Sequence, residues 1–162
     1  MFSGFNCYIQ VTEHYCDCYL KGSVLLDEIR IRGFNPATSG KKVIEKKRKL
    51  MSVLQQKIND LQNVREQCKA KPLSIDVRFY LYNKSSEIGR SKKDLDNLLK
   101  ILCDVLPEHM IANDRESEMQ GLGLIQDNND DSIFEIHCTK TFVEDENQEG
   151  IDLTIYEWIP SH

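Results

Sequence analysis

The sequence predicts an α+β fold, a single domain with a mixed β-sheet and helices packed on it. Three observations carry this. Leu73, Ile75, Val77, Phe79 and Leu81 alternate with Ser74, Asp76, Arg78 and Tyr80, the two-residue period of a half-buried strand. Val43, Leu50, Leu54, Ile58, Leu61 and Val64 or Cys68 recur at helical spacing. Strand-like and helix-like stretches then interleave in the order β-β-α-β-α-β-β, which puts helices on a mixed sheet.

Taken in order, Phe5, Cys7, Ile9 and Val11 alternate with polar neighbours and predict a first strand. "GSVLLDEIRIRG" is a second strand with blurred alternation, and "FNPATSGKK" a loop, by its Pro36, Ser39 and Gly40. One long helix is expected over 41–68, followed by the clear strand at 73–81 and a loop, "NKSSEIGRSKK". The next helix buries Leu95, Leu98, Leu99, Leu102 and Val105 or Leu106, and Pro107 stops it. A polar, irregular stretch at about 108–128 has the character of an insertion. "DSIFEIHCTKTFV" and "GIDLTIYEW" predict two last strands, joined as a hairpin through the acidic loop at 144–150. In the first of them Phe134, Ile136 and Cys138 are expected on the core face, with Glu135 and His137 outward.

At 162 residues, 40% apolar and 29% charged, the chain suits one globular domain spanning 1–162. No apolar run is long enough to cross a membrane, and the start lacks the basic and apolar regions of a signal peptide, so a cytoplasmic protein is expected. The six cysteines are then expected reduced. His14, Cys16 and Cys18 stand close enough to suggest zinc, but not at the spacing of common zinc modules. The net charge of −5 excludes general affinity for nucleic acid, yet the charge is uneven. Lys41, Lys42, Lys46, Lys47, Arg48 and Lys49 crowd the start of the long helix, and the acids gather late. That fits a basic docking face with a separate carboxylate cluster, or two solvated faces.

The chemistry concentrates in "RSKKDLDNLLKILCDVL". Asp96, Lys100 and Asp104 are spaced four apart and share one stripe of a helix, with Asp94 at its start. One reading is plain: Asp94 caps the helix and the stripe makes two surface ion pairs, each worth only about 0.3–0.5 kcal/mol. The other is half of a Mg²⁺ site, because that ion takes carboxylate oxygens and retains waters. Its second half would come from Asp130 and Asp131, at the mouth of the strand after them.

Read together, "KKDLDNLLKILCDVL" and "DDSIFEIHCTK" resemble the RusA family of Holliday-junction resolvases, whose signature is a basic stretch, D-L-D-N-x-x-K-x-x-x-D-x-L on a helix, and a later D-D opening a strand that ends near a lysine. The resemblance is specific over 90–106 and 130–140. It implies an α+β homodimer that cuts four-way DNA junctions with Mg²⁺. It implies Asp94, Asp96 and Asp131 as catalytic acids and metal ligands, with Asp130 beside them, and Lys100 as the catalytic lysine. Asp104 would orient Lys100, and the role of Asn97 stays open. The basic residues Lys41, Lys42, Lys46, Lys47, Arg48, Lys49, Arg90, Lys92 and Lys93 would meet phosphates. Two features depart from the pattern. Thirty residues separate Lys100 from Asp130, which makes the nearer "Asn113-Asp114-Arg115-Glu116-Ser117" a rival for the second acidic motif. It is set aside because no strand-like alternation follows Asp114. The chain is also acidic where junction-binding proteins are basic. The competing function is a branched-DNA-binding protein of the same fold without cleavage.

Overall fold

The alternation around Val77 is the axis of the structure. In the computed structural model, which describes residues 22–38, 42–82, 93–110, 119–125 and 130–160, Leu73–Tyr82 forms strand β2, with Leu73, Ile75, Val77, Phe79 and Leu81 all buried. The other elements are β1 (Val24–Arg32), α1 (Val43–Lys57), α2 (Leu61–Cys68), α3 (Leu95–Val105), β3 (His109–Met110), β4 (Met119–Gln120), β5 (Ile133–Val143) and β6 (Gly150–Glu157). The four long strands form one mixed sheet in the order β1-β6-β2-β5, and β3 and β4 pair separately. Helices α1 and α2 lie against β1, α3 lies against β5, and α1 packs on α3. The α+β architecture read from the sequence is therefore present. No helix among the described residues is long and apolar enough to cross a membrane.

The blurred alternation of β1 has a local cause. Its pairing with β6 shifts register twice, between Val24 and Leu26 and again before Ile29. These bulges allow the adjacent Leu25 and Leu26 to be buried together with Ile29 and Ile31. At the other end of β6, Gly150 lies so close to β1 that an added Cβ would stand 1.8 Å from the Ile31 carbonyl oxygen. Only glycine fits there.

Three expectations are corrected. The long helix is two: it stops at Ile58, and Asp60, at a left-handed φ of 52°, begins α2 by accepting a hydrogen bond from the Asn63 amide at 3.2 Å. Asn and Asp tolerate that backbone and supply the cap, so "IND" breaks a pattern whose apolar spacing continues. The last two strands are not a hairpin. β6 inserts between β1 and β2, antiparallel to both, while β5 pairs parallel with the far side of β2. The apolar β6, with Ile151, Leu153 and Ile155 buried, takes the interior position, and the polar second half of β5 suits an edge. Third, Phe134 is 58% exposed and stacks on Trp158. A register shift between Leu73 and Ser74 sets two residues of β5 against one step of β2, so that Ile133 faces the core before it and Ile136 and Cys138 after it. The expected strand at 5–11, the trio His14, Cys16 and Cys18, and residues Lys41, Arg90 and Lys92 lie outside the described residues.

Candidate active site

Helix α3 follows β2 and begins at Asp94, whose φ of −70° and ψ of 146° are those of an N-cap. Its carboxylate nevertheless makes no capping hydrogen bond. Asp94, Asp96 and Lys100 are all exposed, and among the described residues no ion pair joins Asp96 to Lys100. Both halves of the plain helix-start reading are thereby absent from the structure. The two carboxylates stand in solvent at a helix N-terminus, where the backbone N–H groups favour an approaching anion.

Asp104 is placed differently from its expected role. It is buried, and its Oδ2 lies 2.9 Å from Lys47 Nζ, with side-chain exposures of 7% and 3%. Each step of four residues advances about 40° around a helix, so Asp104 has turned roughly 80° from Asp96 and faces α1. It does not orient Lys100 directly. Lys47 in turn cannot bind DNA from this position. Of the other expected phosphate contacts, Lys42, Arg48 and Lys49 are exposed, Lys49 lies over the Phe34 ring at 5.6 Å, and half-buried Lys46 donates to the Thr38 carbonyl at 3.0 Å.

Around the start of α3 the fold gathers side chains from four elements. Lys93 donates to Asn35 Oδ1 in the loop after β1. Lys140, from β5, donates to the Lys93 carbonyl at 3.1 Å, one residue ahead of Asp94. Glu149, almost fully buried before β6, accepts from the Tyr82 amide at 2.8 Å and closes the end of β2. Burial pushes the Lys93 ammonium below the usual lysine range; the charge of Glu149 opposes this and that of Lys46 adds to it. Asn35 and Glu149 escaped sequence reading because one looks like part of a turn and the other like part of an acidic loop. Lys140 was signalled only as a lysine late in a strand.

The second acidic motif lies elsewhere. Asp130–Ser132 is a 3₁₀ turn that opens β5, and β5 runs parallel to β2 from Leu73↔Ile133 to Tyr82↔Val143. Asp131 therefore sits where β2 begins, whereas α3 starts after β2 ends. From Ile133 to Lys140 is seven residues of extended chain, roughly 23 Å. Allowing for the reach of Lys140 to the Lys93 carbonyl, more than about 10 Å separates Asp131 from Asp94. Within one chain, the expectation that Asp130 and Asp131 complete a set with Asp94 and Asp96 is corrected by strand direction. Among the described residues no three His, Cys, Asp or Glu side chains gather to hold a metal. Two carboxylates do fit Mg²⁺, which commonly takes one or two from protein and the remainder from water and substrate phosphate.

The family model of endodeoxyribonuclease RusA matches residues 34–119. No curated protein and no solved structure matches the chain. The matched span covers more than half of the chain and includes α1, α2, β2 and the whole motif from Asp94 to Leu106. The chain belongs to the RusA family of endodeoxyribonucleases, nucleases that act on Holliday junctions.

Proposed function

We propose that this protein cuts four-way DNA junctions with Mg²⁺ held by Asp94 and Asp96, and that Lys100 acts on the same phosphate. The observation that carries this is the pair of exposed carboxylates at the start of α3, making neither the cap nor the ion pair that helix stability would use. Bound there, Mg²⁺ would shield the phosphodiester charge and supply a water of lowered pKa. Lys100, one turn after Asp96, reaches charge that develops on the phosphate oxygens during attack. The α3 N-terminus and Lys93 add positive potential beside the acids. Lys42, Lys46, Arg48 and Lys49 would hold flanking phosphates.

A third acid would complete the set. Asp114 is the better candidate: the family match runs through it and ends before Asp130, and a strand does follow it at Met119–Gln120. Residues 108–128 are then part of the catalytic domain and not an addition to it. Two opposed cuts in a two-fold substrate also need two sites, so the active form is a homodimer. Light scattering that gave a monomer both free and on junction DNA would exclude that.

The deciding experiment substitutes Asp94→Asn and Asp96→Asn singly. Asparagine caps a helix about as well as aspartate, so the fold should keep its stability. Mg²⁺-dependent junction cleavage should fall about 10³-fold, the scale of losing a principal electrostatic group. Junction binding should hold or tighten, since a negative charge has left a surface that meets phosphate. Stable variants that cut at the wild-type rate would overturn the assignment. A wild-type chain that binds junctions without cutting them would favour the binding-only function.

A further inference from the structure

Between α1 and α3 a buried apolar layer encloses an ion pair. Leu50 and Leu54 from α1 and Leu98, Ile101, Leu102 and Val105 from α3 belong to one buried cluster, with the Lys47–Asp104 pair set among them at 2.9 Å. A buried ion pair is weak as a stabiliser: well-packed apolar residues of similar size often do as well or better. Adhesion of α1 to α3 does not call for charge. What an apolar layer lacks is direction, since leucines tolerate small rotations and slides that a short, charge-assisted hydrogen bond does not.

The helix held in this way carries Asp96 and Lys100. Lys100 is one turn before Asp104 and Asp96 two turns before it, about 6 and 12 Å along the axis. A rotation of α3 by about 20° would move a charged group lying about 6 Å from the axis through roughly 2 Å. Displacements near 1 Å can already cost about 10²-fold in rate. We infer that Lys47 is a positioning residue for cleavage: through Asp104 it fixes the rotation and axial position of α3, and so the geometry of Asp96 and Lys100. It touches neither substrate nor metal. This inference rests on the assignment of α3 as the catalytic helix.

The test compares two double variants. Lys47→Gln with Asp104→Asn removes both charges and keeps a directed hydrogen bond. Lys47→Met with Asp104→Leu replaces the bond by apolar contact. Melting temperature, junction affinity, Mg²⁺ affinity by calorimetry and single-turnover cleavage are measured on each, with wild type alongside. The Gln/Asn variant should cut within about fivefold of wild type. The Met/Leu variant should melt near the wild-type temperature and bind junction equally well. It should lose about 30-fold or more in cleavage and bind Mg²⁺ more weakly. A purely structural pair would change melting alone, so a stable Met/Leu variant that cuts as fast as Gln/Asn overturns the inference. Should Met/Leu fail to fold, Lys47→Arg with Asp104→Glu keeps the charges but lengthens the bridge. Slower cleavage there supports positioning, and wild-type cleavage overturns it. Failure of the underlying assignment is separately visible, because Asp96→Asn would then cut normally in the same assay.

Discussion

At its C-terminal end β5 sends Lys140 to the Lys93 carbonyl, one residue ahead of Asp94; at its N-terminal end the same strand rises from the turn that holds Asp131. Both ends offer exposed aspartates beside a basic residue or a strand mouth, and in sequence the two look alike. The sheet separates them. Because β5 runs parallel to β2 and α3 follows β2, the end of β5 lies near the first residues of α3 and its start lies away from them. An acidic pair ahead of a strand is evidence of a site only once the strand's direction is known.

The largest expected effect tests that separation. Asp114→Asn should reduce junction cleavage about 10³-fold, while Asp131→Asn leaves it within about threefold. The reverse outcome would mean that the distant acid acts across two chains. In that case mixing Asp131→Asn with Asp96→Asn protein would restore one working site per dimer and partial cleavage. Failure of the mixture to cut would leave Asp131 without a place in the site.

A smaller effect is expected from the tether at the near end. Lys140→Ala removes the donor that holds the Lys93 carbonyl and should lower cleavage about tenfold with little change in junction affinity. His137, on the same strand but engaged with Glu135 at 3.0 Å, is the control, and His137→Ala should leave the rate unchanged. Equal losses from both would show that β5 serves general stability and not the position of Asp94.

Smaller again are the salt effects. Lys46→Glu and Lys49→Glu, on the half of α1 nearest the site, should each lower the salt dependence of junction binding by about one unit of slope. Lys57→Glu and Lys69→Glu, beyond that half, should not. Lys47→Glu is excluded from the series, because it would bury a second negative charge against Asp104. A slope unchanged by all four substitutions would remove α1 from the DNA interface.

These contrasts also show what could be read from sequence. The alternation of β2 and the D-L-D-N helix were legible because each rests on a local period that packing then used unchanged. The pairing of β5 was not. Hairpin and parallel crossover place the same residues in the same strands, and only the burial of both sides of β6 decides between them. Phe134 moved to solvent because one bulge reverses side-chain parity, a change invisible in a run of alternating residues. Lys47 and Asp104 were misread because a lysine in a basic run looks solvated, and only the three-dimensional meeting of α1 with α3 shows otherwise. The missed charges have a common feature: their partners lie far away in sequence, 57 positions off for Lys47.

The least effect separates two polar clusters at opposite ends of the sheet. Near the site end Arg32 pairs with Asp152 at 2.7 Å, Tyr80 donates its hydroxyl to the same carboxylate at 2.8 Å, and the guanidinium lies over the Tyr80 ring. Burial works to raise the Asp152 carboxyl, but the hydrogen bonds from Arg32 and Tyr80, with the charges of Arg32 and Arg30, hold it below the usual carboxylate range. At the far end Lys71 and Ser23 hydrogen-bond to Glu157 and lower it too, but at a half-exposed position. A carboxyl depressed by folding contributes stability above its unfolded value, about pH 3.9 for aspartate, and loses it as pH falls through the folded value. Screening by solvent keeps the Asp152 contribution near about 0.5 kcal/mol. Asp152→Asn should therefore melt about 1–2 °C below wild type at pH 7. That gap should begin to narrow as pH falls below about 4 and close once pH has passed the lower folded value, where wild-type Asp152 is itself protonated. Glu157→Gln should show no resolvable gap at either pH. A gap for Asp152→Asn that stays constant down to pH 2.5 would mean that the cluster acts through the packing of Arg32 on Tyr80, with the carboxylate charge incidental.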